Sequence, residues 1–135
     1  MLTVQEIFNL SVSRVIAQGE PSMADSICKY RSENSEGKKL ACGVGVLIAD
    51  EDYRPEFDRA ESTSVLTLMH ESEFASALSN AGVDVTDRDV VSVLTDVQRS
   101  HDYASTHGSR FTDVFKQELK IRMPLHTANC PSFKD

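Results

Sequence analysis

The chain has 135 residues, 40% hydrophobic and 26% charged, which suits one domain able to bury its own core. Fourteen Lys and Arg stand against 21 Asp and Glu, and a formal charge of −7 repels a phosphate backbone, so direct nucleic-acid binding is not expected. No apolar run approaches the ~20 residues of a membrane helix, and the start from Met1 to Gln5 lacks a basic segment followed by an apolar one, so no membrane or secretory role is expected. Three cysteines (Cys28, Cys42 and Cys130) are an odd number; reduced thiols in a cytoplasm fit better than a disulfide scaffold.

The first predicted element is a helix. Thr3 and Glu6 form a capping box, and Val4, Ile7, Phe8, Val12, Val15 and Ile16 recur at three- and four-residue steps on one face. Gly19 and Pro21 end it. The run from Ile27 to Arg31, a polar loop from Ser32 to Lys39 and the apolar stretch from Leu40 to Ile48 predict a short β-hairpin near residues 27–48. A short buried helix starting near Cys42 is the alternative, because Ala41, Gly43 and Gly45 also permit close packing.

Residues 50–61 read as an acidic loop. A second helical stretch, from about Val65 through Leu66, Leu68, Met69, Phe74, Ala77 and Leu78, ends at Gly82, with a break near His70. A third is capped by Thr86, carries Asp87 and Asp89 at its positive end, and shows the stripe Val90, Val93, Leu94, Val97. A last helix runs from about Arg110 to Ile121 and stops at Pro124. The expectation is a mostly helical α+β domain of about four helices and one hairpin over residues 1–124, followed by a loose tail over 125–135.

His101 is the most informative position for chemistry. It follows Val97 by four residues and Leu94 by seven, so the ring should point inward. Gln98 is placed to contact His101 and Asp102, whereas Asp102 is rotated about 100° from His101 and need not touch it. Cys42, between Ala41 and Gly43, would gain a lowered thiol pKa if it opened a helix, and a Cys42/His101 dyad oriented by Gln98 or Asp102 follows activated-nucleophile logic. The plain alternatives are a hydrogen-bonded core histidine and a packing cysteine. Zinc on Cys28, Cys42 and His101, with Cys130 or His126, lacks the tight ligand pairs of structural sites, and neither metal nor cofactor is expected. The carboxylates of Asp50, Glu51, Asp52 and Glu56 lack calcium-loop spacing; the plain reading is a solvated loop, and the functional one a docking surface for a basic partner.

The blocks Cys28-Lys29-Tyr30-Arg31, Cys42 to Asp50 with Tyr53, and Leu94, Gln98, His101, Asp102 resemble those of a family of small uncharacterised proteins from tailed bacteriophages and prophages. Gly43 replaces an Ala of that pattern, Ala49 a Pro and Val97 a Leu. The resemblance implies a phage accessory protein in the cytoplasm of an infected host and carries no activity with it. It groups Cys28, Cys42, His101 and Asp102 as a possible site; Cys28, Tyr30, Arg31 and Tyr53 are candidate binding residues beside the acidic ones. The expected function is binding and modulation of a host or anti-phage defence protein. The rival is a small thiol enzyme using Cys42 and His101 on an amide, ester or nucleotide-derived signal.

Overall fold

Thr3 starts the first helix as its residue pattern requires. In the computed structural model, which describes residues 1–58 and 71–134, Thr3 Oγ1 accepts from Glu6 N at 3.1 Å and Glu6 Oε1 accepts from Thr3 N at 2.9 Å. These bonds satisfy two amides that α1 (Val4–Gln18) would otherwise leave unpaired. Gly19 ends the helix at φ 79°, a left-handed conformation that costs glycine nothing, and its N–H reaches Val15 O.

Two small antiparallel hairpins follow. β1 (Met23–Ala24) pairs with β2 (Ile27–Cys28) around Asp25 and Ser26, both at positive φ. β3 (Arg31–Glu33) pairs with β4 (Lys39–Ala41) in the register Arg31↔Ala41, Ser32↔Leu40, Glu33↔Lys39. A hairpin therefore lies in the predicted region but with other strands: Ile27–Cys28 of the expected first strand pairs back to Met23–Ala24, β3 starts at Arg31 and runs into the expected loop, and β4 stops at Ala41. Beyond it the chain coils, with Val46 N donating to Cys42 O, Leu47 N to Val44 O and Ile48 N to Gly45 O. Tight packing explains the difference: a Cβ on Gly45 would lie 2.1 Å from Tyr30 O, and one on Gly43 2.5 Å from Val97 Cγ1. The alternating valines mark a buried helical turn at Gly45–Leu47, nearer to the alternative of a short buried helix than to a strand. The outer edge of β4 is met by α1, where Gln18 Nε2 donates to Ala41 O at 3.0 Å and Ala41 N donates to Gln18 Oε1 at 2.9 Å.

Single helical turns of 3-10 type cover Gly45–Leu47, Asp50–Asp52 and Pro55–Asp58. The next described helix, α2 (Ser72–Asn80), buries Phe74, Ala77 and Leu78. The part of that expected helix before it, including the break at His70, lies outside the described residues. α3 (Arg88–Ala104) buries the predicted valine stripe, Leu94 and His101. Its cap is Asp87, whose side chain accepts from Asp89 N at 2.8 Å; Thr86, the expected cap, instead donates to Asp84 through both N–H and hydroxyl.

α4 (Phe111–Arg122) packs on α3, and the expected loose tail is a further correction. α5 (Pro124–Ala128) and a turn at Pro131–Phe133 fold back on α1. Cys130 is fully buried, the Phe133 ring stacks on Phe8 at 6.3 Å, and Gln5 Nε2 donates to His126 O at 2.9 Å. Segments this short display no period, so their anchoring by one cysteine and one aromatic ring leaves no pattern to read.

The protein is thus α+β and mostly helical, with two small hairpins. α1 runs between two core groups. Ile7 joins Tyr30, Cys42, Phe74 and Leu94 in one, and Phe8, Val12 and Val15 join Val93, Val97, Phe111 and Phe115 in the other. Among the described residues no helix is long and apolar enough to cross a membrane.

Candidate functional site

His101 is fully buried, as its place on the apolar stripe requires. Both ring nitrogens are engaged. Ser22 N, which can only donate, lies 3.1 Å from Nε2, and Asp102 Oδ1 lies 3.0 Å from Nδ1. Nε2 is therefore the acceptor, and the ring proton sits on Nδ1, shared with the carboxylate. Asp102 does touch its neighbour, a contact that helical rotation left open and that the ring-orienting role considered for it requires. Its side chain is long enough to curl back, and Gln98 Nε2 holds the same oxygen at 2.9 Å, the contact its spacing predicts. The ring also meets Phe111 edge-on at 5.5 Å.

The thiol beside this group is that of Cys28. Its Sγ, a nitrogen of His101 and a carboxylate oxygen of Asp102 lie within 4.8 Å of one another. The Cys28 S–H donates to Ser105 Oγ at 3.4 Å, and that hydroxyl donates to Asp102 O at 2.6 Å. Burial pushes the Cys28 thiol up to about 11; the Ser105 contact opposes this and the Asp102 charge adds to it. Such a thiol is held protonated, the reverse of an activated nucleophile.

Sulfur, imidazole and carboxylate are a plausible donor set for a transition metal. A metal needs a ring lone pair, however. Here Nδ1 carries the proton and the Nε2 lone pair is taken by Ser22, so the geometry suits a hydrogen-bonded node better than a metal centre.

Cys42 sits elsewhere. It is fully buried with Tyr30, Val44 and Phe74, and Gly45 N donates to its Sγ at 3.3 Å. Burial pushes its thiol up to about 12 despite the amides of Gly45 and Val44. No hydrogen bond joins it to His101 among the described residues. Cys42 stands just before a single 3-10 turn at Gly45–Leu47, and the few amides of that turn do not offset its burial.

The acidic segment divides into an anchor and a face. Asp58 turns inward: its carboxylate accepts from Tyr30 N at 2.8 Å, from Arg31 N at 3.2 Å and from the Tyr53 hydroxyl. Phe57, buried beside it, packs edge-on against Phe74 at 5.1 Å. Asp50, Glu51 and Glu56 face outward, and Asp52, half-buried, accepts from Asn80 at 3.3 Å.

Arg31 ties the face to the hairpin. It donates to Gly45 O, to Ile48 O and to Asp50 Oδ1 at 2.6 Å, and stacks over Tyr53 at 5.3 Å. The Arg31 bond and charge hold the Asp50 carboxyl below its ordinary value, while burial and the bond to Asp58 push the Tyr53 hydroxyl up.

The predicted residues therefore form two groups. Cys28, Gln98, His101 and Asp102 meet at one, and Tyr30, Arg31, Asp50 and Tyr53 at the other. Ser22, Ser105 and Asp58 complete them. A serine in a turn and one more carboxylate in an acidic run carry no distinguishing pattern, so the sequence did not single these three out. Comparison of the chain with protein-family models, with curated proteins and with solved structures gives no match.

Proposed function

We propose that the chain is a small acidic binding protein, encoded by a phage or prophage, that modulates a host or defence protein in the cytoplasm of an infected cell. The observation that carries the binding role is the way Asp58 and Phe57 fix the acidic segment. With those two turned inward, Asp50, Glu51 and Glu56 are displayed on short, rigidly tethered turns instead of a slack loop. A preorganised row of carboxylates attracts a basic partner from a distance and loses little entropy on contact. The phage setting rests on the resemblance of the Cys28, Cys42 and His101 blocks.

The enzyme reading receives less support. A dyad needs a thiol that ionises readily and an imidazole nitrogen open to it, whereas Cys28 and Cys42 are both held protonated and His101 has both nitrogens engaged.

The test is capture of host proteins on the immobilised chain at low and high salt. Replacing Asp50, Glu51, Asp52 and Glu56 by their amides should weaken capture and flatten its salt dependence. Equal capture by the parent and the fourfold variant removes the acidic face from the reading.

A further inference from the structure

Beside the acidic face, a groove of about 890 Å³ opens between the second half of α1, the β3–β4 hairpin and the turns after Val46. That volume falls within the ~300–1,000 Å³ of small-molecule sites. Leu40, Val46 and Ile48 contribute apolar surface, and Arg14, Arg31 and Lys39 bring three cations from three different elements. Two carboxylates, Asp50 and Glu33, also line it. Asp50 is paired with Arg31 and also feels the charge of Lys39, while neither Arg14 nor Lys39 forms a direct ion pair among the described residues.

The arginines are set in place before any ligand arrives. Arg14 Nη1 donates to Val46 O at 2.7 Å, and Arg31 is held by Gly45 O, Ile48 O and the Tyr53 ring. Each guanidinium has five N–H donors, so both keep some unspent. Held in this way, a fork loses little freedom when it meets an oxyanion.

We propose that this groove binds a small organic anion, its phosphate or carboxylate head on Arg14 and Lys39 and its apolar or aromatic body against Leu40, Val46 and Tyr53. Two larger occupants fit less well. A nucleic-acid strand meets the repulsion of a chain carrying −7. A peptide adding a strand to β4 finds both main-chain groups of Ala41 already bonded to Gln18. A compact anion escapes both obstacles.

Calorimetric titration of the full chain with phenyl phosphate, benzoate, inorganic phosphate and benzyl alcohol tests this. Binding of phenyl phosphate or benzoate is expected, with the tighter of the two identifying the head group. Arg14→Ala should weaken it at least about tenfold, the effect of losing one charge-assisted hydrogen bond. Arg14→Lys, which keeps the charge without the fork, should fall between. Arg54→Ala, whose guanidinium pairs with Glu73 away from the groove, should bind as the parent does. No binding of either aromatic anion at millimolar concentration overturns the proposal. So does equal weakening by Arg14→Ala and Arg54→Ala, or inorganic phosphate or benzyl alcohol binding as tightly as phenyl phosphate. The inference is independent of the acidic face: Glu51→Gln with Glu56→Gln should retain the anion whether or not partner capture survives.

Discussion

The main-chain N–H of Ser22 donates to Nε2 of His101 at 3.1 Å across 79 residues of sequence, joining the turn after α1 to the far end of α3. That bond fixes the tautomer, and the tautomer decides what the neighbouring thiol and carboxylate can do. The imidazole acts as a bridge between main chain and carboxylate, with no lone pair left for a thiol proton or a cation.

His101→Phe keeps the ring volume and the contact with Phe111 but orphans a buried amide. A destabilisation of about 1–3 kcal/mol is expected, the usual effect of an unsatisfied buried donor. Urea unfolding measures it. An unchanged midpoint would mean that the Ser22 bond contributes nothing.

Asp58→Asn removes one acceptor oxygen and points an amide at groups that themselves donate. About 2 kcal/mol of destabilisation is expected. The exposed Glu51→Gln should change stability by less than about 0.5 kcal/mol. If the two variants unfold alike, Asp58 is not the anchor of the acidic segment.

Gly45→Ala and Gly19→Ala separate two uses of glycine. At Gly45 an added methyl collides with the Tyr30 carbonyl at 2.1 Å, in a fully packed region, and about 3 kcal/mol or more of strain is expected. At Gly19 nothing lies within 4 Å, so only the left-handed backbone is penalised, by about 1 kcal/mol. Thermal unfolding of both ranks them, and the reverse order contradicts the packing described.

Alkaline pH should weaken the fold through the thiols. Their ordinary value is 9.0, and in the folded chain burial raises Cys28 to about 11 and Cys42 to about 12. The native state therefore binds these protons more tightly than the unfolded chain. Their contribution is complete below pH 9 and is lost as pH climbs toward 11 and 12. The Tyr30 and Tyr53 hydroxyls, also raised by burial, act in the same direction. Urea midpoints between pH 8 and 11 should fall, and less steeply in Cys42→Ala.

Ending the chain after Met123 would uncover Phe8 and remove the buried Cys130 together with the Phe133 stack. A loss of about 2–4 kcal/mol is expected, comparable to emptying one large core position. A truncated chain as stable as the parent would restore the picture of a dispensable tail.

The particular residues show why some features could be read from sequence and others could not. Thr3, Glu6 and Gly19 bound α1 through local chemistry, so that helix is visible within a window of a few residues. His101 was placed inward by periodicity alone. Cys28 joins it through the family resemblance and Ser22 through no sequence signal, because both reach the ring by way of the first hairpin, whose placement depends on long-range packing. Cys42 to Ile48 alternates like a strand, yet contact with Tyr30 and Val97 forces it to coil, a case of tertiary packing overriding local pattern. Arg14 belongs to the polar side of α1, and only the folded hairpin turns that side into a groove wall.

The paired bonds between Gln18 and Ala41 imitate what another strand would offer to β4. A helix side chain thereby terminates a two-stranded ribbon that would otherwise present an open template at Ala41. Crowded copies of the chain are thus denied one route to stacking edge to edge into fibrils, through a single carboxamide.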